Sequence, residues 1–144
     1  MKAFFTNEEK QKIVDAIRQA EKNTSGEIRV HIDKTCNEDV LDRAAWWFKQ
    51  LKMEKTKQRN GVLIYIATES KKFAIIGDAG INAAVPANFW ESTKNVMLDY
   101  FKQSRFADGI VYAVLEAGMR LKDAFPYQAD DVNELDDDIS FGAK

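Results

Sequence analysis

The chain has 144 residues, 45% of them hydrophobic and 31% charged, and a formal net charge of −2. One folded globular domain fits that length and balance; wholesale disorder, a collagen repeat and a bundle of membrane helices do not. There is no basic field to neutralise phosphates, so nucleic acid is not an expected partner, and a lone cysteine, Cys36, excludes internal disulfides and cysteine-rich zinc sites.

The N-terminal residues hold no apolar stretch of signal-peptide length, and no later apolar run approaches the roughly 18 residues of a membrane span. A cytoplasmic domain with no membrane segment is the expectation. Thr6 and Glu9 form a capping-box pattern. Ile13, Val14, Ile17 and Ala20 follow at helical spacing, which predicts a first helix ending near Asn23. Glu27 to Ile32 alternates polar and apolar residues and predicts a strand buried on one face. After a loop from Asp33 to Asn37, a second helix is expected from about Glu38. Its apolar side is Val40, Leu41, Ala44, Ala45, Trp47, Phe48 and Leu51, and Trp46 falls outside the stripe.

A charged connector leads to Asn60-Gly61 and then to Val62–Ala67, apolar on both faces as a central strand between two layers would be. Glu69 to Lys72 reads as a turn and Phe73–Ile76 as a third strand, ending in Gly77-Asp78-Ala79-Gly80. Two more helices are expected, one starting near Pro86, the other running from Phe106 until Pro126 stops it. Strands interleaved with four helices predict an α/β or α+β sandwich.

Residues 129–144 differ from the domain at 1–128. They hold six acids, Asp130, Asp131, Glu134, Asp136, Asp137 and Asp138, against one lysine, and the rest of the chain carries 20 basic and 17 acidic residues. The tail resembles a calcium loop at a glance. Counted from Asp131, however, Leu135 takes a ligand position and Asp136 replaces the glycine such a loop requires. A solvated acidic tail is the plainer reading. The interleaved Val132, Leu135, Ile139 and Phe141 predict that part of it docks on the body, and its acidity offers a surface to a protein partner.

Several familiar chemistries are excluded. There is no phosphate-binding glycine loop and no G-x-S-x-G elbow. The only histidine, His31, lies mid-strand with no serine in a motif around it, and is read as a packed or half-exposed strand residue. Cys36 and Arg43 are one residue too far apart for a cysteine-phosphatase loop.

Carboxylates remain. The two later strands flank a short turn and should form an antiparallel hairpin, bringing Asn60 and Gly61 beside Asp78. The first strand reaches Val62–Ala67 through a helix, which favours a parallel pair and places Glu27 at the same end. Glu27, Arg59, Asn60 and Asp78 then converge. Carboxylates and an amide oxygen suit Mg²⁺ or Ca²⁺, and the Arg59 fork matches phosphate. The competing reading makes Gly77–Gly80 only a turn, with Asp78 bonding its own backbone. The rule that ligands lie at the carboxyl ends of strands would instead favour Asp33, Thr68 and the loop around Cys36.

The runs Ser-Gly-Glu-Ile-Arg-Val-His-Ile, Arg-Asn-Gly-Val-Leu-Ile-Tyr-Ile-Ala and Phe-Ala-Ile-Ile-Gly-Asp-Ala-Gly-Ile resemble the TPM domain, a family named for a thylakoid lumen protein, a photosystem II repair protein and a worm receptor modulator. Phe89-Trp90, Arg105-Phe106-Ala107-Asp108-Gly109 and Asp131-Val132-Asn133-Glu134-Leu135 resemble its bacterial stand-alone branch. The resemblance implies a three-layer α/β/α sandwich with a small mixed sheet, divalent-metal binding and, in some members, phosphomonoester hydrolysis. Many relatives carry an acid where this chain has Arg59, which makes a phosphate role there more plausible than a metal-ligand role.

The combined expectation is a metal-dependent phosphatase acting on small phosphomonoesters. One Mg²⁺ or Ca²⁺ would sit on Asp78, Glu27, Asn60 and Asp131. Arg59 and Asn60 would hold the substrate, and Asp78 and Arg59 would serve catalysis. The alternative is a non-enzymatic Ca²⁺-binding interaction module in complex or envelope maintenance.

Overall fold

A computed structural model describes residues 5–127 and 138–142. In chain order the elements are α1 (Asn7–Ala20), β1 (Glu27–Asp33), α2 (Val40–Gln50), a 3₁₀ turn (Met53–Lys55), β2 (Gly61–Ala67), β3 (Lys72–Gly77), α3 (Ala79–Ala84), α4 (Glu91–Lys102), α5 (Phe106–Leu121) and β4 (Ser140–Phe141). The fold is α/β, with helices packed on both faces of a four-stranded mixed sheet of order β3-β2-β1-β4.

The connections behave as the chain's patterning dictates. β1 and β2 are parallel, with Glu27 opposite Gly61 and His31 opposite Tyr65. β2 and β3 form the antiparallel hairpin, with Val62 opposite Gly77. β4 adds to the free edge of β1, also parallel, with Ser140 opposite His31.

Period-two alternation divides the core. Ile28, Val30, Ile32, Val62, Ile64, Ile66 and Ile75 face the helices α1, α4 and α5. Leu63, Tyr65, Ala67 and Ala74 face the side of α2, where Cys36, Ala44 and Met53 join them. All seven residues of β2 are buried, as two-sided cover requires. On the N-terminal side, α1 starts at the expected capping box: Glu9 N donates to Thr6 Oγ1 and Thr6 N to Glu9 Oε1, at 3.0 and 2.9 Å.

Four expectations need correction. The segment after β3 is not merely a turn: the Asp78 carboxylate accepts from Ala79 N and caps a fifth helix, α3. Pro86 does not open a helix. Residues 87–90 form a turn and α4 begins at Glu91. α5 ends at Leu121, well before Pro126, which bridges to Thr24. Leu41, placed on the apolar side of α2, is 56% exposed because only the Ala44 side of that helix reaches the sheet.

Candidate functional site

At the end of the sheet where β1 and β2 begin, the hairpin and the parallel pair bring the expected residues to one place. Asp78 N donates to Gly61 O at 2.9 Å, and Glu27 N donates to Asn60 O at 3.1 Å. Arg59 Nε and a terminal nitrogen donate to Asp78 Oδ2 and Oδ1 at 2.7 and 2.8 Å, a bidentate pair. The Asp78 side chain is 6% exposed and that of Arg59 50%. The carboxylate is therefore walled in, and one side of the guanidinium faces water.

Arg59 is held there by its backbone. Its φ is +51°, in the left-handed region that residues other than glycine seldom adopt. Such a residue costs about 1–3 kcal/mol and persists only where its surroundings enforce it. Here the enforcement comes from Gly80, whose N–H donates to Arg59 O at 2.9 Å. A Cβ on Gly80 would run into Gln58 O and Arg59 O, so only glycine allows that approach.

Asn60 Nδ2 donates to Ser25 O at 3.2 Å. Its Oδ1 is buried with no hydrogen-bond donor among the described residues, and such an oxygen suits a cation. Glu27 and Asp78 add carboxylates that are nearly buried. Both oxygens of Asp78 are engaged by Arg59, and Oδ1 also accepts from Ala79 N at 2.7 Å. Among the described residues no three His, Cys, Asp or Glu side chains gather as a metal cage. Asp131 lies outside the described residues. The donor types, two carboxylates and an amide oxygen, are those a hard divalent cation takes, and Arg59 holds both oxygens of one of them.

The opposite end of β1, the end the carboxyl-end rule favoured through Asp33, holds a second polar cluster around the strand histidine. His31 is fully buried, stacked on Trp47 with ring centroids 3.8 Å apart. Its Nε2 lies 2.9 Å from Asp33 Oδ1, and its Nδ1 lies 2.8 Å from Ser140 Oγ. Tyr65 OH and Trp47 Nε1 both donate to Asp33 Oδ2, at 2.6 and 2.9 Å. Arg43 Nε stands 3.5 Å from the same oxygen. Burial pushes the Asp33 carboxyl up, but the donors His31, Tyr65 and Trp47 outweigh it and hold the group down at about 2. Burial, then Asp33, pushes the Tyr65 phenol above its ordinary value. The sequence signal was there in part: His31, Asp33 and Tyr65 share the period-two face of adjacent strands. Ser140 could not be placed beside them, because nothing in the sequence pairs β4 with β1.

The profile of the TPM domain family matches residues 1–120. Among solved structures, the BA42 protein from the psychrophilic bacterium Bizionia argentinensis is 53% identical, covers 99% of this chain and 98% of its own, and superposes with a TM-score of 0.93. The N-terminal domain of a P. gingivalis protein is 15% identical over 87% of this chain and 81% of its own, with a TM-score of 0.71. The N-terminal domain of the cg2496 protein from Corynebacterium glutamicum is 11% identical over 98% of this chain and 82% of its own, with a TM-score of 0.64. The last two show likeness of fold alone. A search of curated proteins gives no match.

Proposed function

This chain belongs to the TPM domain family, and from that premise we propose that it is a divalent-metal-dependent phosphomonoester hydrolase centred on Arg59 and Asp78. The observation that carries the reading is the Arg59 fork. It is half exposed, fixed by a left-handed backbone, and set on a buried carboxylate. A planar fork that can exchange one carboxylate for one phosphate is a natural phosphate receptor.

Asp78, Glu27 and Asn60 would hold the ion, with Asp131 as a further ligand. Bound there, Mg²⁺ or Ca²⁺ supplies Lewis-acid charge on the phosphoryl group and the activated water that attacks it. The chain's own residues do the positioning. Arg59 turns its fork from Asp78 to two phosphoryl oxygens of the substrate. Asp78 is thereby released from its cationic partner, so phosphate capture and ligand availability are linked. Asn60 keeps its amide nitrogen on Ser25 O, which fixes the direction of Oδ1.

The test is turnover of p-nitrophenyl phosphate and a panel of small phosphomonoesters by purified protein, with chelator and after return of Mg²⁺ or Ca²⁺. Hydrolysis should stop and resume. Asp78→Ala should remove it. Arg59→Ala should raise KM more than it lowers kcat, as expected when substrate binding is what is lost.

A second reading is a non-enzymatic Ca²⁺-binding interaction module. It is favoured by the bidentate Arg59–Asp78 pair, which occupies the fork that a substrate phosphate would need. Ca²⁺ binding without turnover on any phosphomonoester of the panel would select it.

A further inference from the structure

We propose that Ser140 is a nucleophile activated by His31 and Asp33, forming a second chemical centre that attacks carboxylic esters at the other end of the sheet from Arg59. The three groups stand in line: Ser140 Oγ lies 2.8 Å from His31 Nδ1, and His31 Nε2 lies 2.9 Å from Asp33 Oδ1. Two hydrogen bonds of that length in that order are the requirement for a hydroxyl nucleophile, its base and the group that orients the base.

Proton accounting gives the arrangement its direction. An ionised carboxylate only accepts, and Asp33 Oδ2 accepts from Tyr65 OH and Trp47 Nε1. Asp33 therefore receives Nε2–H from His31. When the imidazole carries one proton, Nδ1 is left with a lone pair, and the hydrogen bond from Ser140 must run Oγ–H to Nδ1. The imidazole is thus held in the tautomer a general base needs. Its ring cannot rotate away, being stacked on Trp47 and fully buried.

The placement suits an attack from solvent. Ser140 is partly exposed and sits on the edge strand β4. The side chains facing the imidazole are Asp33 on its own strand, Tyr65 on β2, Ser140 on β4 and Trp47 on α2. Arg43 of α2 adds a positive charge 3.5 Å from Asp33 Oδ2. Its guanidinium stacks 4.7 Å from the Trp46 ring. Arg43 also lines a cleft of about 310 Å³ with Thr35, Cys36, Asn37 and Glu38, on the β3 side of the sheet and away from β4.

The step balances without a co-reactant. Ser140 Oγ bonds to the ester carbonyl carbon as its proton passes to His31 Nδ1. The carbon–oxygen bond to the alcohol then breaks, and the departing alkoxide takes that proton. Water attacks the acyl-serine, again giving its proton to Nδ1, and the acid leaves as Ser140 Oγ is reprotonated.

The experiment uses the full chain and diisopropyl fluorophosphate, a phosphorus electrophile that serine nucleophiles attack with loss of fluoride. Intact mass and peptide mapping should show one adduct on Ser140 in folded protein and none after heat denaturation. Ser140→Ala should abolish it while the circular dichroism spectrum stays unchanged. His31→Gln should slow it at least 100-fold. Where that variant does not fold, the wild-type rate profile replaces it: the rate should rise with pH to a plateau as one group loses a proton. Absence of a Ser140 adduct, or a rate that climbs with hydroxide without a plateau, overturns the proposal and leaves the contact as a clamp for β4. Labelling should persist in EDTA and in Asp78→Ala, so its failure is separable from failure of the phosphatase reading.

Discussion

Arg59 and Asp78, 19 residues apart in sequence, meet fork to fork across the β2–β3 hairpin, with both Asp78 oxygens engaged at 2.7 and 2.8 Å. The pair sits where the neck of the hairpin meets the start of β1, and Gly80 fastens the backbone of one partner to that of the other. A guanidinium and a divalent ion would compete for the same carboxylate.

That competition gives the first prediction. A ligand bound only by the native state raises stability, by roughly 2.7 kcal/mol at about 100 times its dissociation constant. Melting temperature with and without Mg²⁺ or Ca²⁺ reads this directly. Asp78→Asn should shrink the gain, since a neutral amide replaces a charged ligand. Arg59→Ala should preserve or enlarge it, because the competing cation is gone. Equal gains in wild type, Asp78→Asn and Asp138→Asn would instead indicate diffuse counter-ion binding to an acidic chain.

Gly80→Ala should act on the same pair from a distance. The added methyl meets Gln58 O and Arg59 O, which are backbone atoms and cannot rotate aside. The loop must shift, at a cost of about 1–3 kcal/mol as for other overpacked sites. Chemical denaturation should show that loss. Binding of inorganic phosphate should weaken with it, because Arg59 loses its enforced backbone. A variant as stable as wild type would mean the approach of Gly80 to Arg59 is slack.

The architecture was legible where burial imposes a period. Val62–Ala67 is apolar on both faces because two layers cover it, and Glu27–Ile32 alternates because its polar residues line the thinner α2 side. The meeting of Arg59 with Asp78 followed from the short turn between β2 and β3, and the place of Glu27 beside them from the helical crossover between β1 and β2. What the sequence could not reveal depends on partners distant in the chain. Asp78 reads equally well as a turn residue and as the cap of α3. His31 reads as a core residue until Ser140 is placed beside it, across 109 positions. Leu41 misleads because a single helix lying on one face of a sheet needs a narrower apolar stripe than its sequence supplies.

Acid stability tests the cluster around Asp33. Its carboxyl is ordinarily near 3.8 and is held at about 2 in the folded chain. A lowered folded value means the unfolded state binds the proton more readily. The stability this group contributes is complete above about pH 4 and falls away as the pH drops through 2. Asp33→Asn should flatten the pH dependence of unfolding in that window. It should also destabilise the chain at neutral pH, by about 1–3 kcal/mol for each buried donor left without an acceptor. An unchanged acid limb in Asp33→Asn would mean the carboxyl is not depressed.

Gly142 tests how β4 is held. Its N–H donates to Ile32 O at 2.9 Å, continuing the ladder that begins with Ser140 opposite His31. A Cβ there would collide with Asp33 Oδ1. That oxygen cannot retreat, because it accepts from His31 and its partner oxygen from Tyr65 and Trp47. Gly142→Ala should therefore lift the short strand while the main core, which β4 barely enters, stays intact. Amide exchange should accelerate at Gly142 by a large factor and stay slow in β2, and the loss of global stability should be under about 1 kcal/mol, as for a segment that opens locally. Ser140 then leaves its place beside His31, so the rate of its modification by diisopropyl fluorophosphate should fall in parallel with strand docking. Fast exchange at Gly142 with undiminished Ser140 modification would separate the strand from the relay and show that docking is not what positions the hydroxyl.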